Sequence, residues 1–165
     1  MTSPGIVIHH SIEGAQMGVT IRSATLADQR ALCDLYGQLN PADPPWPSEA
    51  ETADALSRVL ENDGTTILIC EKGGVAVSTC MLVVCPNFSR LGRPFALIEN
   101  VVTDREHRRR GFGRQVVEHA IGIARQQGCY RVTVMTGSRR EETLRLYERA
   151  GMQPNTKMAF EARFL

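Results

Sequence analysis

The apolar positions of this chain change their period from segment to segment. Val19-Thr-Ile-Arg22 alternates as a strand does, and Leu32, Leu35 and Leu39 then recur at helical spacing behind two candidate caps, Thr25 and Asp28. Asn40 to Pro47 (NPADPPWP) carries four prolines in eight residues, which forbids a helix interior and favours an extended, semi-rigid loop. Ser48 with Glu51 spells a capping box, so a second helix is expected there, turning Ala55, Leu56, Val59 and Leu60 inward.

Thr66–Cys70 and Val75–Val84 are β-branched runs around Lys72-Gly73-Gly74, which reads as a hairpin. Pro86 to Pro94 is an irregular loop, and Phe95–Val102 is a central strand. Val116, Val117, Ala120, Ile121 and Ala124 keep a 3.6-residue period that Gly128 closes. Tyr130–Met135 is expected as a strand, Glu141–Ala150 as a last helix before Gly151, and Lys157–Phe164 as a final strand. Strands and helices alternate through the second half, which predicts an α/β sheet flanked by helices. There are no repeats and no low-complexity segment. Residues 1–17 read as a loosely held arm and 18–165 as one domain.

The bulk numbers narrow the class of molecule. At 165 residues, 42% apolar and 22% charged, the chain can bury a real core and is ordinary for a soluble globular protein. A net charge of +1 argues against a polycation that seeks nucleic acid, so any basic character is local. No apolar run approaches the ~18–20 residues needed to cross a bilayer, and the first residues lack the basic start and apolar core of a signal peptide. The five cysteines are odd in number and without Cys-x-x-Cys spacing, which fits reduced thiols in the cytoplasm. With the four histidines they form no zinc pattern, so no metal is expected.

Local basic character is concentrated after the central strand. Residues 104 to 114 hold five arginines against Asp104 and Glu106 and run into the start of a helix. Such a start is an anion site, because unpaired backbone N–H groups and the positive dipole end point outward. Its glycines let the chain pass close to a diphosphate, and arginine planes pair bidentately with phosphate. Glu99 lies in an otherwise apolar strand, where a carboxylate costs free energy unless solvated or paired. Tyr147, near Leu144 on one helix face, offers a phenol that stays protonated at neutral pH and can donate.

Arg108-Arg109-Arg110-Gly111-Phe112-Gly113 resembles the Gln/Arg-x-x-Gly-x-Gly/Ala signature of the GNAT superfamily of acetyl-CoA-dependent N-acetyltransferases. The run from Leu144 through Tyr147 to Gly151-Met152 is similar to that family's Phe/Leu-Tyr-x-x-x-Gly-Phe segment. The resemblance is specific from Pro94 to Met152. Asn87 to Gly151, with Gly128-Cys129-Tyr130, is similar to small-molecule members such as glucosamine-6-phosphate N-acetyltransferase.

The resemblance implies the GNAT fold, a mixed, splayed sheet of about six to seven strands flanked by about four helices. It also implies acetyl-CoA as cosubstrate, its diphosphate held by backbone amides from Arg109 to Arg114 with Arg108 opening the signature. It predicts a bulge after Glu99 and a Val101 or Val102 N–H on the thioester carbonyl. Glu99 becomes the general base, acting directly or through water, or a substrate-binding group, and Tyr147 the acid that protonates the departing thiolate. Arg140 stands where many relatives place an asparagine that contacts the cofactor. Trp46 and Phe88, with Arg90, would frame the acceptor.

The expected activity is direct acetyl transfer to a primary amine of a small molecule, an amino sugar, polyamine or amino-acid-like compound, in a ternary complex. No nucleophilic cysteine is required. A non-catalytic acyl-CoA sensor with the same fold is the first alternative. A nucleic-acid-binding module using the arginine run is the second, although the rest of the chain supplies no broad basic face. The expected partner is therefore the amine substrate, with neither nucleic acid nor membrane, and the resemblance adds a homodimer.

Overall fold

Five strands lie side by side in chain order in one sheet: β1 (Val19–Ser23), β2 (Thr65–Lys72), β3 (Val75–Cys85), β4 (Phe95–Thr103) and β5 (Val132–Val134). The computed structural model describes residues 18–156, 158–162 and 164, so the expected arm over 1–17 lies outside the described residues. β1 to β4 pair antiparallel, whereas β5 runs parallel to β4. A parallel step needs a crossover, and the helix α3 (Phe112–Gln126) makes it. The remaining helices are α1 (Gln29–Leu39), α2 (Glu49–Leu60) and α4 (Glu141–Arg149).

The mixed sheet with four flanking helices matches the expected architecture, with five strands among the described residues rather than six or seven. Part of the strand expected over Lys157–Phe164 lies outside the described residues. The rest of it is in no strand. A strand needs a ladder to join, and β5 offers an edge of three residues.

The two faces of the sheet bury different residues of the same strands, as a period of two demands. On one face Leu68, Cys70, Val77, Cys80, Leu82, Ala96 and Ile98 pack against Phe112, Val116, Val117, Ala120 and Ala124 of α3. Each fully buried valine or phenylalanine there contributes roughly 1.5–3 kcal/mol. On the other face Ile67 and Ile69 meet Leu32 of α1 and Leu56, Val59 and Leu60 of α2. α4 packs on α3.

Local signals account for most boundaries. Gly73 and Gly74 both have positive φ, +58° and +80°, as the two-residue turn between β2 and β3 requires. The Ser48–Glu51 capping box opens α2. The buried stripe of α2 begins at Thr52, whose hydroxyl donates to Ser48 O (2.9 Å), and Ala55 is exposed. Thr52, Leu56, Val59 and Leu60 keep the 3.6-residue period that Ala55 breaks. The proline-rich loop from Asn40 to Pro47 is exposed throughout. Arg22 of β1 forks onto Asp28 (2.7 and 2.8 Å) and also holds Glu71 of β2, tying the first strands to the start of α1.

Candidate active site

The site is built around a break in β4. Val102 pairs with Thr79 and Glu99 with Met81, so Cys80 alone faces both Asn100 and Val101. Asn100 takes the extra residue in the left-handed region, φ +53°, which asparagine tolerates better than most residues. The extra residue also reverses which side chains face α3. Ala96 and Ile98 point to α3 before the break, and Val101 does after it. Glu99 alternates with Ile98 and so faces the α1–α2 side of the sheet.

β5 pairs with Ala96, Leu97 and Ile98, and among the described residues no strand lies on that side of β4 from Glu99 onward. Val102 is turned the other way, toward β3: Ser78 Oγ donates to its carbonyl at 2.8 Å. Alternation therefore presents the main chain of Val101 and Thr103 to the open edge. Consistently, Arg108 Nε reaches Thr103 O there at 3.2 Å.

Past β4 the chain makes a short 3-10 turn, Arg105–His107, and then the arginine loop. Arg109 (φ +60°) and Gly111 (φ +87°) swing it into α3. Gly111 is the N-cap and supplies no side chain, so the first amides of α3 remain available. The helix must also come close to the sheet. A Cβ on Gly113 would stand 2.8 Å from Thr103 Oγ1 and 3.0 Å from Leu146 Cδ1.

In front of this loop lies a cleft of about 1020 Å³. It brings together Val101, Arg108, Arg109, Arg110, Gly111, Phe112, Gly113, Arg114, Arg140 and Tyr147, and is lined as well by Thr103, Arg105, Arg145, Arg149, Glu141 and Glu142. Arg114 pairs with Glu118 at 3.6 Å, and Arg145 pairs with Glu141. Arg109, Arg110 and Arg140 have no acidic partner among the described residues. An uncapped helix start ringed by unpaired guanidinium groups is the donor set a diphosphate takes. The residues present thus fit CoA.

Tyr147 of α4 is packed against the core below this cleft. Burial, and then the fields of Cys80 and Glu99, push its phenol up to about 12. It is therefore a proton donor through the neutral range. Burial also raises the Glu99 carboxyl above its ordinary value, the direction that suits a base near neutral pH. Glu99 does not line the cleft; it sits at the open edge, on the opposite face.

Other expected site residues lie elsewhere. Trp46 is half-exposed in the Asn40–Pro47 loop. Phe88 is fully exposed in the loop between β3 and β4, at the end of β4 remote from the arginine loop, and the structure does not bring it to the cleft. Arg90, in the same loop, lies over the Tyr130 ring at 5.8 Å. Cys70 and Cys80 are buried with thiols raised to about 11 and about 12, and burial raises Cys129 as well. Among the described residues no group of three His, Cys, Asp or Glu side chains is disposed to hold a metal. No helix among them is long and apolar enough to cross a membrane.

Sequence reasoning placed the bulge directly after Glu99 but did not single out Thr103 or Gln38. An asparagine inside a β-branched run is a legible sign of a bulge. Thr103 and Gln38 make their contacts across the fold and leave no local signal.

The acetyltransferase (GNAT) family matches residues 29–152. The chain is 30% identical over 132 residues to glucosamine 6-phosphate N-acetyltransferase of Trypanosoma brucei brucei, covering 79% of this chain and 86% of that one. It is 34% identical over 118 residues to glucosamine 6-phosphate N-acetyltransferase 1 of Oryza sativa subsp. japonica, covering 69% and 70%. A solved structure from Agrobacterium tumefaciens str. C58, assigned as an acetyltransferase, is 38% identical with a TM-score of 0.83, covering 88% of this chain and 99% of that one. With its signature loop, broken strand and tyrosine in place, the chain belongs to the GNAT family and is an acetyl-CoA-dependent N-acetyltransferase.

Proposed function

We propose that this enzyme acetylates the amine of an amino sugar, with glucosamine 6-phosphate the first acceptor to test. The acceptor class rests on the two relatives above, both glucosamine 6-phosphate N-acetyltransferases. The mechanism rests on one observation, the open edge of β4 that separates Glu99 from the arginine-lined cleft and leaves Tyr147 beside it.

The diphosphate of acetyl-CoA lies on the amides of Gly111 to Arg114, with Arg108, Arg109, Arg110 and Arg140 adding charge. The acyl arm runs along the open edge. The N–H of Val101, rather than that of Val102, meets the thioester carbonyl, because Val102 is turned toward β3. The protonated amine cannot attack until it loses a proton. Glu99 takes that proton, directly or through water. The free amine attacks the carbonyl carbon, and the Val101 N–H stabilises the oxyanion. When the C–S bond breaks, Tyr147 gives its proton to the CoA thiolate, and the proton still on the attacking nitrogen is lost to water and restores the phenol, leaving the neutral amide and CoA thiol. Trp46 borders the acceptor from the α1–α2 loop.

The enzyme works as a homodimer in the cytoplasm. The dimer is supported by the short edge strand β5 and by Met158, Phe160 and Phe164, which are 80, 91 and 94% exposed on one chain. The compartment is supported by five unpaired cysteines. Light scattering should give twice the 18.2 kDa chain mass.

The deciding experiment is CoA release, read by mass spectrometry, across amino sugars and their phosphates, aminoglycosides, polyamines and amino acids. Turnover with glucosamine 6-phosphate well above the other amines is expected. A preference for polyamines or amino acids would overturn the acceptor assignment and leave the acetyl-CoA site standing.

A further inference from the structure

The cleft and the acceptor loop are joined by one side chain that neither motif contains. Gln38 is the penultimate residue of α1, two positions before the Asn40–Pro47 loop. Its Nε2 donates to Asp104 Oδ2 at 2.9 Å, and its Oε1 accepts the Arg105 N–H at 2.9 Å. These partners lie 66 and 67 residues away, at the mouth of the arginine loop.

Asp104 carries the contact onward. Its other oxygen accepts the Glu106 N–H and faces His107 Nδ1, both at 2.9 Å. The His107 ring lies against Phe112, centroids 6.2 Å apart, and Phe112 is the fully buried first residue of α3. A continuous run of directional contacts thus leads from the end of α1 to the helix start that faces the diphosphate.

An amide is suited to this place. It offers one donor and one acceptor on a rigid plane, and it meets a carboxylate and a backbone N–H that need one of each. A hydrogen bond to a carboxylate is among the stronger kinds in proteins. No comparable bond ties α1 to this loop among the described residues.

We infer that Gln38 is a positioning residue that holds the arginine loop in its diphosphate-binding form and couples acetyl-CoA binding to the acceptor loop. The inference rests on the site assignment proposed above. An anion that tightens the arginine loop fixes Asp104 and Arg105, and through Gln38 fixes the end of α1 from which the Trp46 loop departs. Gln38 touches no substrate and acts only through Asp104 and Arg105.

Trp46 is the single tryptophan of the chain, so its fluorescence reports the acceptor loop alone. In the native protein, acetyl-CoA binding measured by calorimetry should be accompanied by a change in Trp46 emission. Gln38→Glu keeps the acceptor for the Arg105 N–H but sets a carboxylate against Asp104. It should weaken acetyl-CoA binding on the order of tenfold, raise its KM more than it lowers kcat, and abolish the emission change at saturation. Pairing Gln38→Glu with Asp104→Asn exchanges donor and acceptor and preserves every bond described. That double variant should recover most of the lost affinity and the emission change. Equal affinity in the Gln38→Glu variant and the native protein would overturn the inference, as would failure of the double variant to recover. If the native protein itself fails to bind acetyl-CoA, the site assignment beneath it falls instead.

Discussion

The carboxylate of Glu99 acts on the hydroxyl of Tyr147 across the open edge of β4, and after burial and the neighbouring Cys80 its field helps hold that phenol at about 12. The two groups suit opposite proton transfers. Activity should therefore fall as the pH drops through the Glu99 value, which burial raises. The tyrosine, at about 12, should cause no decline at mildly alkaline pH. Tyr147→Phe should lower kcat by roughly 10²-fold or more while calorimetry shows acetyl-CoA binding little changed. Glu99→Gln should remove the acid limb of the pH–rate profile. Full turnover by either variant would dismiss its role.

Gly113 has no room for a side chain. A methyl group there meets Thr103 Oγ1 and Leu146 Cδ1 at 2.8 and 3.0 Å, so Gly113→Ala must push α3 from β4. The expected cost is about 1–3 kcal/mol in denaturant unfolding, with acetyl-CoA affinity reduced as well. A fully stable, tightly binding Gly113→Ala protein would contradict this packing.

Asn100 separates the needs of the backbone from those of the side chain. Its φ of +53° is open to glycine at no steric cost and closed to β-branched residues. Asn100→Gly should retain most stability and activity. Asn100→Val should lose about 1–2 kcal/mol and, by straightening the bulge, most of its kcat. Thermal melts and steady-state rates on the pair make the comparison.

Asp28 predicts how the fold responds to acid. Hydrogen bonding from Arg22 lowers its carboxyl from 3.8 to about 2, against an opposing effect of burial. A depressed carboxylate stabilises the fold above its unfolded value, and that stability is lost as pH falls through the folded one. The loss should therefore run from about pH 4 to about pH 2. Asp28→Asn should be about 1–3 kcal/mol less stable than the native protein at pH 7, with the gap closing below that window. A constant gap across the range would mean that the Arg22–Asp28 pair is not its source.

Much of this was legible along the chain. The capping box at Ser48, the glycine pair at Gly73 and Gly74, and the 3.6-residue stripe of α3 are local features written in adjacent residues. The arginine loop was legible for the same reason: anion binding by a helix start needs only a short segment, Arg108 to Arg114. A final strand was expected over Lys157–Phe164. Alternation cannot say whether a partner edge is long enough to receive it, and β5 is three residues long.

Phe88, expected beside the acceptor, lies in the loop that precedes β4. Its loop lies near Glu99 in sequence, yet β4 is extended and carries the loop away from the cleft at about 3.3 Å per residue. Gln38 is the reverse case, distant in sequence and bonded to the mouth of the arginine loop.

By itself the sequence determined most of the elements and singled out the arginine loop, Glu99 and Tyr147 as candidates, because these follow from neighbouring residues and their chemistry. The tertiary structure decided the rest. It stopped β5 at Val134, so that among the described residues the edge of β4 beyond Ile98 stands open, and it turned Val101 rather than Val102 toward that edge. It also buried Tyr147 where the field of Glu99 helps raise its phenol, and closed Gln38 onto Asp104. Each of these depends on strand register and on packing between elements far apart in the chain. Such relations arise when the whole sheet folds and are carried by no single stretch of residues.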